Sequence, residues 1–362
     1  TAIDDLYQVG TSTWLDDLSR ERIATGNLGE VKQAKSIVGV TTNPAIFAAA
    51  MGSGTHYDEQ LAELKQAGTT ADAAVYAMSV KDVQDACDLF RDTFEATGGK
   101  DGRVSIEVDP RFAADEAKTI DQARELWQLV DRDNLMIKIP ATNESLPAVT
   151  AALAEGISVN VTLIFSVERY KQVIDAYKDG IRKAAAAGHD VSRIHSVASF
   201  FVSRMDTEVD KRLEAIGTDE ALALRGKAGI ANARLAYALF EREFGGADVD
   251  KLPANANAQR PLWASTGVKN PAYPATMYVT ELAGPQTVNT MPEQTLDAVL
   301  RDGGVHGDTL TGTEAVSRET FAALRGVGID LDDVVAVLER EGVEKFVDAW
   351  QELLDSMTAR LA

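Results

Sequence analysis

The chain has 362 residues, of which 45% are hydrophobic and 25% are charged, an ordinary composition for a globular protein. The formal net charge of −20 argues against general nucleic-acid binding. No apolar run reaches the roughly 18 residues of a membrane span, and no signal-peptide pattern opens the chain. Cys87 is the only cysteine, which excludes an intrachain disulfide and is typical of a cytoplasmic protein. The four histidines show no metal-ligand spacing, so only carboxylates stay open as Mg²⁺ ligands.

Short segments typical of buried strands alternate along the chain with longer segments typical of helices. Strands are predicted at residues 11–15, 36–42, 103–108, 135–140, 157–164, 194–202, 261–266 and 286–290. Helices are predicted between them, among others at residues 71–95, 112–130, 167–187 and 220–244. Because eight strands alternating with helices close a parallel barrel, we expect an α/β fold with one (β/α)8 TIM-barrel domain over residues 1–362.

Two helical additions to the barrel are expected. One lies around residues 203–258, where an irregular loop is predicted from Gly245 to Gln259. The other is the segment 292–362, which is predicted to be wholly helical and is longer than one barrel helix requires. Its last part is expected to pack over the barrel or over one of its mouths.

Lys138 is the only charged residue in the apolar segment 135–140. Lysine is rarely buried without a partner, because removing an ammonium from water costs several kcal/mol. The side chain therefore either extends to the edge of the sheet or is held partly desolvated, as a nucleophilic amine.

Neighbouring predicted strands carry polar side chains on one face only. Glu107 lies opposite the apolar face of segment 104–109, and Asn160 and Thr162 lie opposite that of segment 157–163. These residues and Lys138 all lie late in their strands, where barrel enzymes place their active sites. Each residue alone is more often structural, and a wet face of an antiparallel sheet is the alternative. Helical connections argue against that alternative, so the shared depth of these side chains favours a catalytic site.

Five sequence blocks carry a family resemblance. They are the segments 39–44 (GVTTNP), 104–109 (VSIEVD), 136–142 (MIKIPAT), 160–166 (NVTLIFS) and 199–204 (SFFVSR). In this order they resemble the transaldolase family, the class I (Schiff-base) aldolases of the pentose phosphate pathway. The opening at 14–20 (WLDDLSR) and the long C-terminal segment are similar to the longer bacterial members.

The resemblance implies catalytic roles for four residues. Lys138 is expected to form the Schiff base with the ketose carbonyl, and Asp16 is expected to act as acid and base on the C4 hydroxyl of the donor. The adjacent Asp17 would point to the opposite face of the strand. Glu107 and Thr162 match the pair that positions a catalytic water.

The resemblance also implies a set of substrate-binding residues. They are Thr41, Asn43 and Asn160 for the dihydroxyacetone moiety, Ser199 and Arg204 for the phosphate, and in addition Phe201 and Ser265. Many members carry a second phosphate-binding arginine after the seventh strand, where Gly267 stands in this chain. Lys269 is the expected substitute and Arg260 the alternative, although a lysine lacks the planar bidentate geometry of arginine.

By resemblance, the chain is expected to transfer a dihydroxyacetone unit from sedoheptulose 7-phosphate or fructose 6-phosphate to glyceraldehyde 3-phosphate or erythrose 4-phosphate. Such an enzyme needs no metal or organic cofactor, has sugar phosphates as its partners rather than nucleic acid or membrane, and would be a monomer or a homodimer. A fructose 6-phosphate aldolase is the alternative within enzymes, but those relatives generally have a tyrosine in place of Asp16. A non-catalytic barrel is the alternative outside enzymes, and the joint presence of the catalytic set argues against it.

Overall fold

The computed structural model describes residues 1–246 and 251–362 and contains, within them, the eight predicted strands. They are β1 (Thr11–Asp16), β2 (Gly39–Thr41), β3 (Arg103–Glu107), β4 (Leu135–Pro140), β5 (Val159–Ile164), β6 (Ser196–Phe201), β7 (Arg260–Ala264) and β8 (Thr287–Met291). Each strand pairs in parallel with its neighbour in chain order, and β1 also pairs with β8. The predicted (β/α)8 barrel is therefore confirmed.

Helices surround this barrel along the whole described chain. The first group is α1 (Ala2–Val9), α2 (Arg20–Ala24), α3 (Asn27–Lys35), α4 (Pro44–Met51), α5 (Asp58–Gln66), α6 (Ala71–Leu89), α7 (Arg91–Ala96), α8 (Glu116–Val130) and α9 (Leu146–Ala154). The second group is α10 (Val167–Ala186), α11 (Ser203–Ile216), α12 (Asp219–Leu222), α13 (Ala228–Gly245), α14 (Met277–Thr280), α15 (Glu293–Asp302), α16 (Glu314–Gly326) and α17 (Leu331–Leu361). No helix among the described residues is both long enough and apolar enough to cross a membrane.

Two sequence expectations need correction. Strand β2 is only three residues long, because Ser36 ends α3 in the left-handed region (φ 59°) and the chain becomes extended only afterwards. The segment 292–362 is not wholly helical, since residues 303–313 form turns that contain several glycines with positive φ. In the segment 203–258 the structure has α11, α12 and α13, and residues 247–250 of the predicted loop lie outside the described residues.

The strands separate two apolar layers. In β4, Leu135, Ile137 and Ile139 face the outer layer beneath the helices. Met136 belongs to a second cluster, together with Trp14 and Val288 of other strands. The alternation predicted for this strand is thus observed, with Lys138 on the same side as Met136.

Helix α17 crosses one end of the barrel, the mouth at which the strands end in Asp16, Thr41 and Glu107. Gly342 of this helix packs so closely on the mouth that an added Cβ would lie 3.0 Å from the Phe165 ring and 3.3 Å from Leu163. The expected packing of the C-terminal segment over a barrel mouth is therefore observed.

Candidate active site

Lys138 is almost fully enclosed at the barrel mouth, with 6% of its surface exposed. Its Nζ donates a hydrogen bond to the backbone oxygen of Thr42 at 2.7 Å and lies 3.6 Å from Glu107 Oε1. The Thr42 hydroxyl also donates to Glu107 Oε2 at 3.2 Å. The amine is thus positioned by two groups. The side chain extends neither to the edge of the sheet nor into bulk solvent.

Glu107 and Thr162 border a small cavity beside the lysine. Glu107 Oε1 and Thr162 Oγ1 are buried and have no hydrogen-bond partner within the described chain. Both residues and Lys138 line the cavity, whose volume of about 10 Å³ is close to the room that one water molecule needs. Burial raises the pKa of the Glu107 carboxyl, against the opposing charge of Lys138. A carboxyl group beside a water-sized cavity can exchange a proton with a water molecule held there.

Asp16 lies at the end of β1, and its Oδ1 accepts a hydrogen bond from the Thr41 hydroxyl at 2.9 Å. The Thr41 hydroxyl also contacts the hydroxyl of Thr290 in β8. Burial raises the pKa of Asp16, while Lys138 and the Thr41 hydrogen bond act in the opposite direction. The next residue, Asp17, instead accepts a hydrogen bond from Arg22 at 2.6 Å. The two aspartates therefore have different partners, as the alternation of a strand requires.

Asn160 links the mouth to the barrel interior. Its Oδ1 accepts from the Ser199 hydroxyl at 2.6 Å, and its Nδ2 donates to Ser105 Oγ at 3.2 Å. The structure thus groups Ser199 with Asn160 rather than with the predicted phosphate-binding arginine. Asn43 uses its side-chain oxygen to cap α4, accepting from the backbone N–H of Ile46 at 2.9 Å. Its amide nitrogen remains free of this cap and can donate to a substrate.

Arg204 lies at the start of α11, with its guanidinium carbon 5.0 Å from the centre of the Phe201 ring. Its Nη1 is buried and has no hydrogen-bond partner among the described residues. Loss of hydration lowers the pKa of Lys269, and the positive charges of Arg204 and Lys345 lower it further. The positive charges of these side chains act on one another, and an anion bound near them would be stabilised.

The loop that carries Lys269 is attached to α11 on both sides of the lysine. At its start, the hydroxyls of Ser265 and Ser203 lie 2.7 Å apart. Further along, the hydroxyls of Tyr273 and Tyr278 donate to Asp210 and Asp206, which are one helical turn apart in α11. The same helix therefore fixes both Arg204 and the Lys269 loop.

The alternative cation, Arg260, is at the wrong end of the barrel. It is the first residue of β7, whereas the mouth with Lys138 is formed by the last residues of the strands. Its Nη2 lies 3.2 Å from Asp101 Oδ1, and both side chains are buried. Arg260 is therefore a structural ion-pair partner, whereas Lys269 lines a cavity that also contains Asp16.

A larger cavity of about 380 Å³ opens from Asp16 to Lys269 and includes Ser265 in its wall. Ser265 has a left-handed backbone (φ 55°), an uncommon conformation that persists only where surrounding contacts enforce it. This cavity connects the Asp16 carboxylate with two cations, Lys269 and Arg301, and its size suits a small phosphorylated ligand.

Sequence reasoning missed several residues of this site. The backbone oxygen of Thr42 binds Lys138, and the hydroxyl of Thr290 contacts that of Thr41. Val343 and Phe346 of α17 line the cavity beside Lys138. The paired threonines in the segment 39–44 gave a signal for Thr42. The contribution of α17 had none, because it depends on the path of a helix about 200 residues away in the chain from Lys138.

Comparison with known proteins agrees with this geometry. The model of the transaldolase/fructose-6-phosphate aldolase family matches residues 13–357. A transaldolase of Mycolicibacterium smegmatis is 62% identical over 357 residues, which cover 98% of this chain and 96% of the relative. A protein of Streptomyces coelicolor named transaldolase 1 is 59% identical over 361 residues, or 99% of this chain and 95% of the relative. The chain therefore belongs to the transaldolase/fructose-6-phosphate aldolase family of enzymes.

Proposed function

We propose that this enzyme is a transaldolase that carries a dihydroxyacetone unit on Lys138. The donor would be sedoheptulose 7-phosphate or fructose 6-phosphate, and the acceptor glyceraldehyde 3-phosphate or erythrose 4-phosphate. The observation that carries the proposal is the enclosed Lys138 amine, 3.6 Å from the Glu107 carboxylate. An enclosed lysine amine beside a group that can exchange protons is suited to forming a Schiff base.

Imine formation requires removal of a hydroxyl group from carbon. The Lys138 amine adds to C2 of the ketose and gives a carbinolamine, which loses water to form the C=N bond. The leaving oxygen needs a proton, and Glu107, whose pKa is raised by burial, can supply it through a water held at Thr162. The reverse of these steps releases the product at the end of the cycle.

The C3–C4 bond breaks once the iminium has formed. Asp16 removes the proton of the C4 hydroxyl, the C4 oxygen becomes the aldehyde oxygen, and the bonding electrons move to C3 to give an enamine. In the second half-reaction C3 attacks the carbonyl carbon of the acceptor, and Asp16 returns the proton to the new hydroxyl. Thr41 orients Asp16 and helps to keep it ionised through its hydrogen bond.

The phosphate of both substrates would bind between Arg204 and Lys269. The buried Nη1 of Arg204, which has no hydrogen-bond partner among the described residues, and the Lys269 ammonium, on which the charge of Arg204 acts, support this assignment. Ser265 is expected to add a hydroxyl from the wall of the same cavity. Cys87, the only cysteine, is buried and fits a reducing cytoplasm as the site of action.

Borohydride reduction in the presence of fructose 6-phosphate tests the proposal. We expect a dihydroxyacetone adduct on Lys138, located by peptide mass mapping, and none in Lys138→Met. An adduct on another lysine would overturn the assignment. A coupled assay with fructose 6-phosphate and erythrose 4-phosphate then separates a transaldolase from an aldolase, which would release free dihydroxyacetone, and from a barrel without activity.

A further inference from the structure

The cavity beside the Schiff-base lysine is completed by the C-terminal helix. Val343 and Phe346 of α17 line it opposite Glu107, Lys138 and Thr162. Phe346 is buried, with 8% of its surface exposed, so its ring is directed toward the protein rather than toward solvent. We call these two side chains the α17 wall.

The α17 wall is held in place from several directions. At the middle of the helix, Gly342 allows close contact with Leu163 and Phe165. Leu163 itself has a left-handed backbone (φ 62°) at an irregularity in the pairing of β5 with β6. Such a conformation is strained for leucine and persists only where the packing around it is well determined.

Contacts on either side of the wall fix the rest of the helix. Before it, Glu339 pairs with Arg169 of α10 at 3.3 Å. After it, the rings of Trp350 and Tyr76 lie 5.2 Å apart. The wall is therefore part of a fixed helix and not of a loosely attached tail.

We propose that Phe346, together with Val343, restricts solvent at the Schiff base and thereby commits the bound dihydroxyacetone to transfer instead of loss. This inference rests on the proposed function. The cavity holds about 10 Å³, so the α17 wall leaves room for about one water molecule beside Lys138. Apolar side chains on the remaining side offer a second water no hydrogen-bonding partner.

Two fates compete for the enamine that remains after C3–C4 cleavage. In transfer, C3 forms a bond to the acceptor carbon, and the acceptor oxygen takes the proton from Asp16. In loss, C3 instead takes a proton from solvent, water adds to the C=N carbon, and the C–N bond breaks to give dihydroxyacetone and the free Lys138 amine. Transfer needs one ordered water, for release of the product, whereas loss also needs a solvent proton source near C3. Exclusion of further water therefore favours transfer.

The test measures how the adduct partitions. Each variant is incubated with fructose 6-phosphate, with and without erythrose 4-phosphate, and free dihydroxyacetone and sedoheptulose 7-phosphate are quantified. We expect Phe346→Ala to raise the ratio of dihydroxyacetone to transfer product about tenfold, which corresponds to about 1.4 kcal/mol between the two barriers. Phe346→Leu, which retains an apolar side chain of similar volume, should keep a ratio near that of the unchanged enzyme.

Two further variants separate this role from general loosening of the helix. Gly342→Ala should raise the ratio less strongly, because its Cβ would lie 3.0 Å from Phe165 and displace the helix slightly. Leu338→Ala, in the same helix about two turns earlier, removes a buried side chain outside the cavity and should leave the ratio unchanged.

The outcomes are distinct. If Phe346→Ala slows transfer and loss equally, or if Leu338→Ala raises the ratio as much, the α17 wall does not control partition. Borohydride trapping is run on every variant. If the enzyme without a substitution forms no adduct, the proposed function itself is overturned. If Phe346→Ala forms the adduct but keeps the original ratio of dihydroxyacetone to transfer product, only this inference is overturned.

Discussion

The Thr41 hydroxyl donates a hydrogen bond to Asp16 Oδ1 at 2.9 Å and so joins the ends of two neighbouring strands. It favours the ionised form of a carboxyl whose pKa burial raises. Asp16 must be ionised to accept the C4 proton, so the balance between burial and this bond sets the acid side of the activity profile.

Loss of this bond should move the acid limb of the pH profile. Thr41→Val removes the donor, the pKa of Asp16 rises further, and kcat/KM should begin to fall at a pH about one unit higher, the equivalent of about 1.4 kcal/mol. Thr41→Ser keeps a hydroxyl and should restore the limb. An unmoved limb in Thr41→Val would show that another group controls it.

Asp16→Asn should separate imine formation from cleavage. The amide cannot take the C4 proton, so transfer should fall by about a hundredfold or more. Borohydride trapping on Lys138 should persist, because the amine and Glu107 are unchanged. Asp17→Asn is the matched control, since Asp17 pairs with Arg22 and should leave transfer nearly intact. Loss of trapping in Asp16→Asn would contradict this division of roles.

Lys269→Ala should weaken recognition of the phosphate group. A hydrogen bond to a charged group contributes about 1.5–3 kcal/mol, so KM for glyceraldehyde 3-phosphate should rise about tenfold or more. KM for unphosphorylated glyceraldehyde should change little. Lys183→Ala, at an exposed lysine paired with Asp179 in α10, controls for the loss of net positive charge. Equal effects on both acceptors would assign the phosphate to Arg204 without Lys269.

Tyr273→Phe should act through the position of the Lys269 loop. It removes the hydroxyl that donates to Asp210 of α11 and leaves the ring in place. We expect KM for phosphorylated acceptors to rise about threefold or more while imine trapping is unchanged, as for loss of one hydrogen bond. Tyr237→Phe, which removes a hydroxyl bonded to Pro285 O before β8, should not change KM.

Gly39→Ala should destabilise the barrel near its first two strands. Its Cβ would lie 2.7 Å from the Trp14 ring, so the free energy of unfolding should fall by about 1–3 kcal/mol, measured by denaturant titration. Gly29→Ala in α3 meets only Leu89 Cδ1, at 3.7 Å. That variant should gain about 0.5–1 kcal/mol from helix propensity. Similar losses in both would point to a general intolerance of added volume.

The barrel was predictable because its strands are short apolar segments between long helical ones. The register of polar residues in β3, β4 and β5 was also readable, since strand alternation places Glu107, Lys138 and Asn160 at similar depth. The packing of the C-terminal segment over a barrel mouth was expected, but which side chains of α17 face the site and the turns at 303–313 could not be predicted, because tertiary packing and backbone conformations of glycine decide them.

Parts of the site escaped prediction for a related reason. Lys138 is held by the backbone oxygen of Thr42, and a carbonyl group carries no sequence signature. Asn43 was expected to bind substrate, but its oxygen also caps a helix, a use that its position before Pro44 could have indicated. Arg260 was the alternative to Lys269, and the direction of β7 places it at the opposite end of the barrel.

The path of α17 makes activity depend on the order in which the chain is synthesised. Asp16 belongs to the first strand, Thr290 to the last, and Phe346 to a helix that leaves the ribosome later still. A nascent chain therefore cannot assemble the enclosed lysine before nearly all of these residues are available. Contacts between such distant residues form slowly, so we expect activity to appear only with the final folding event.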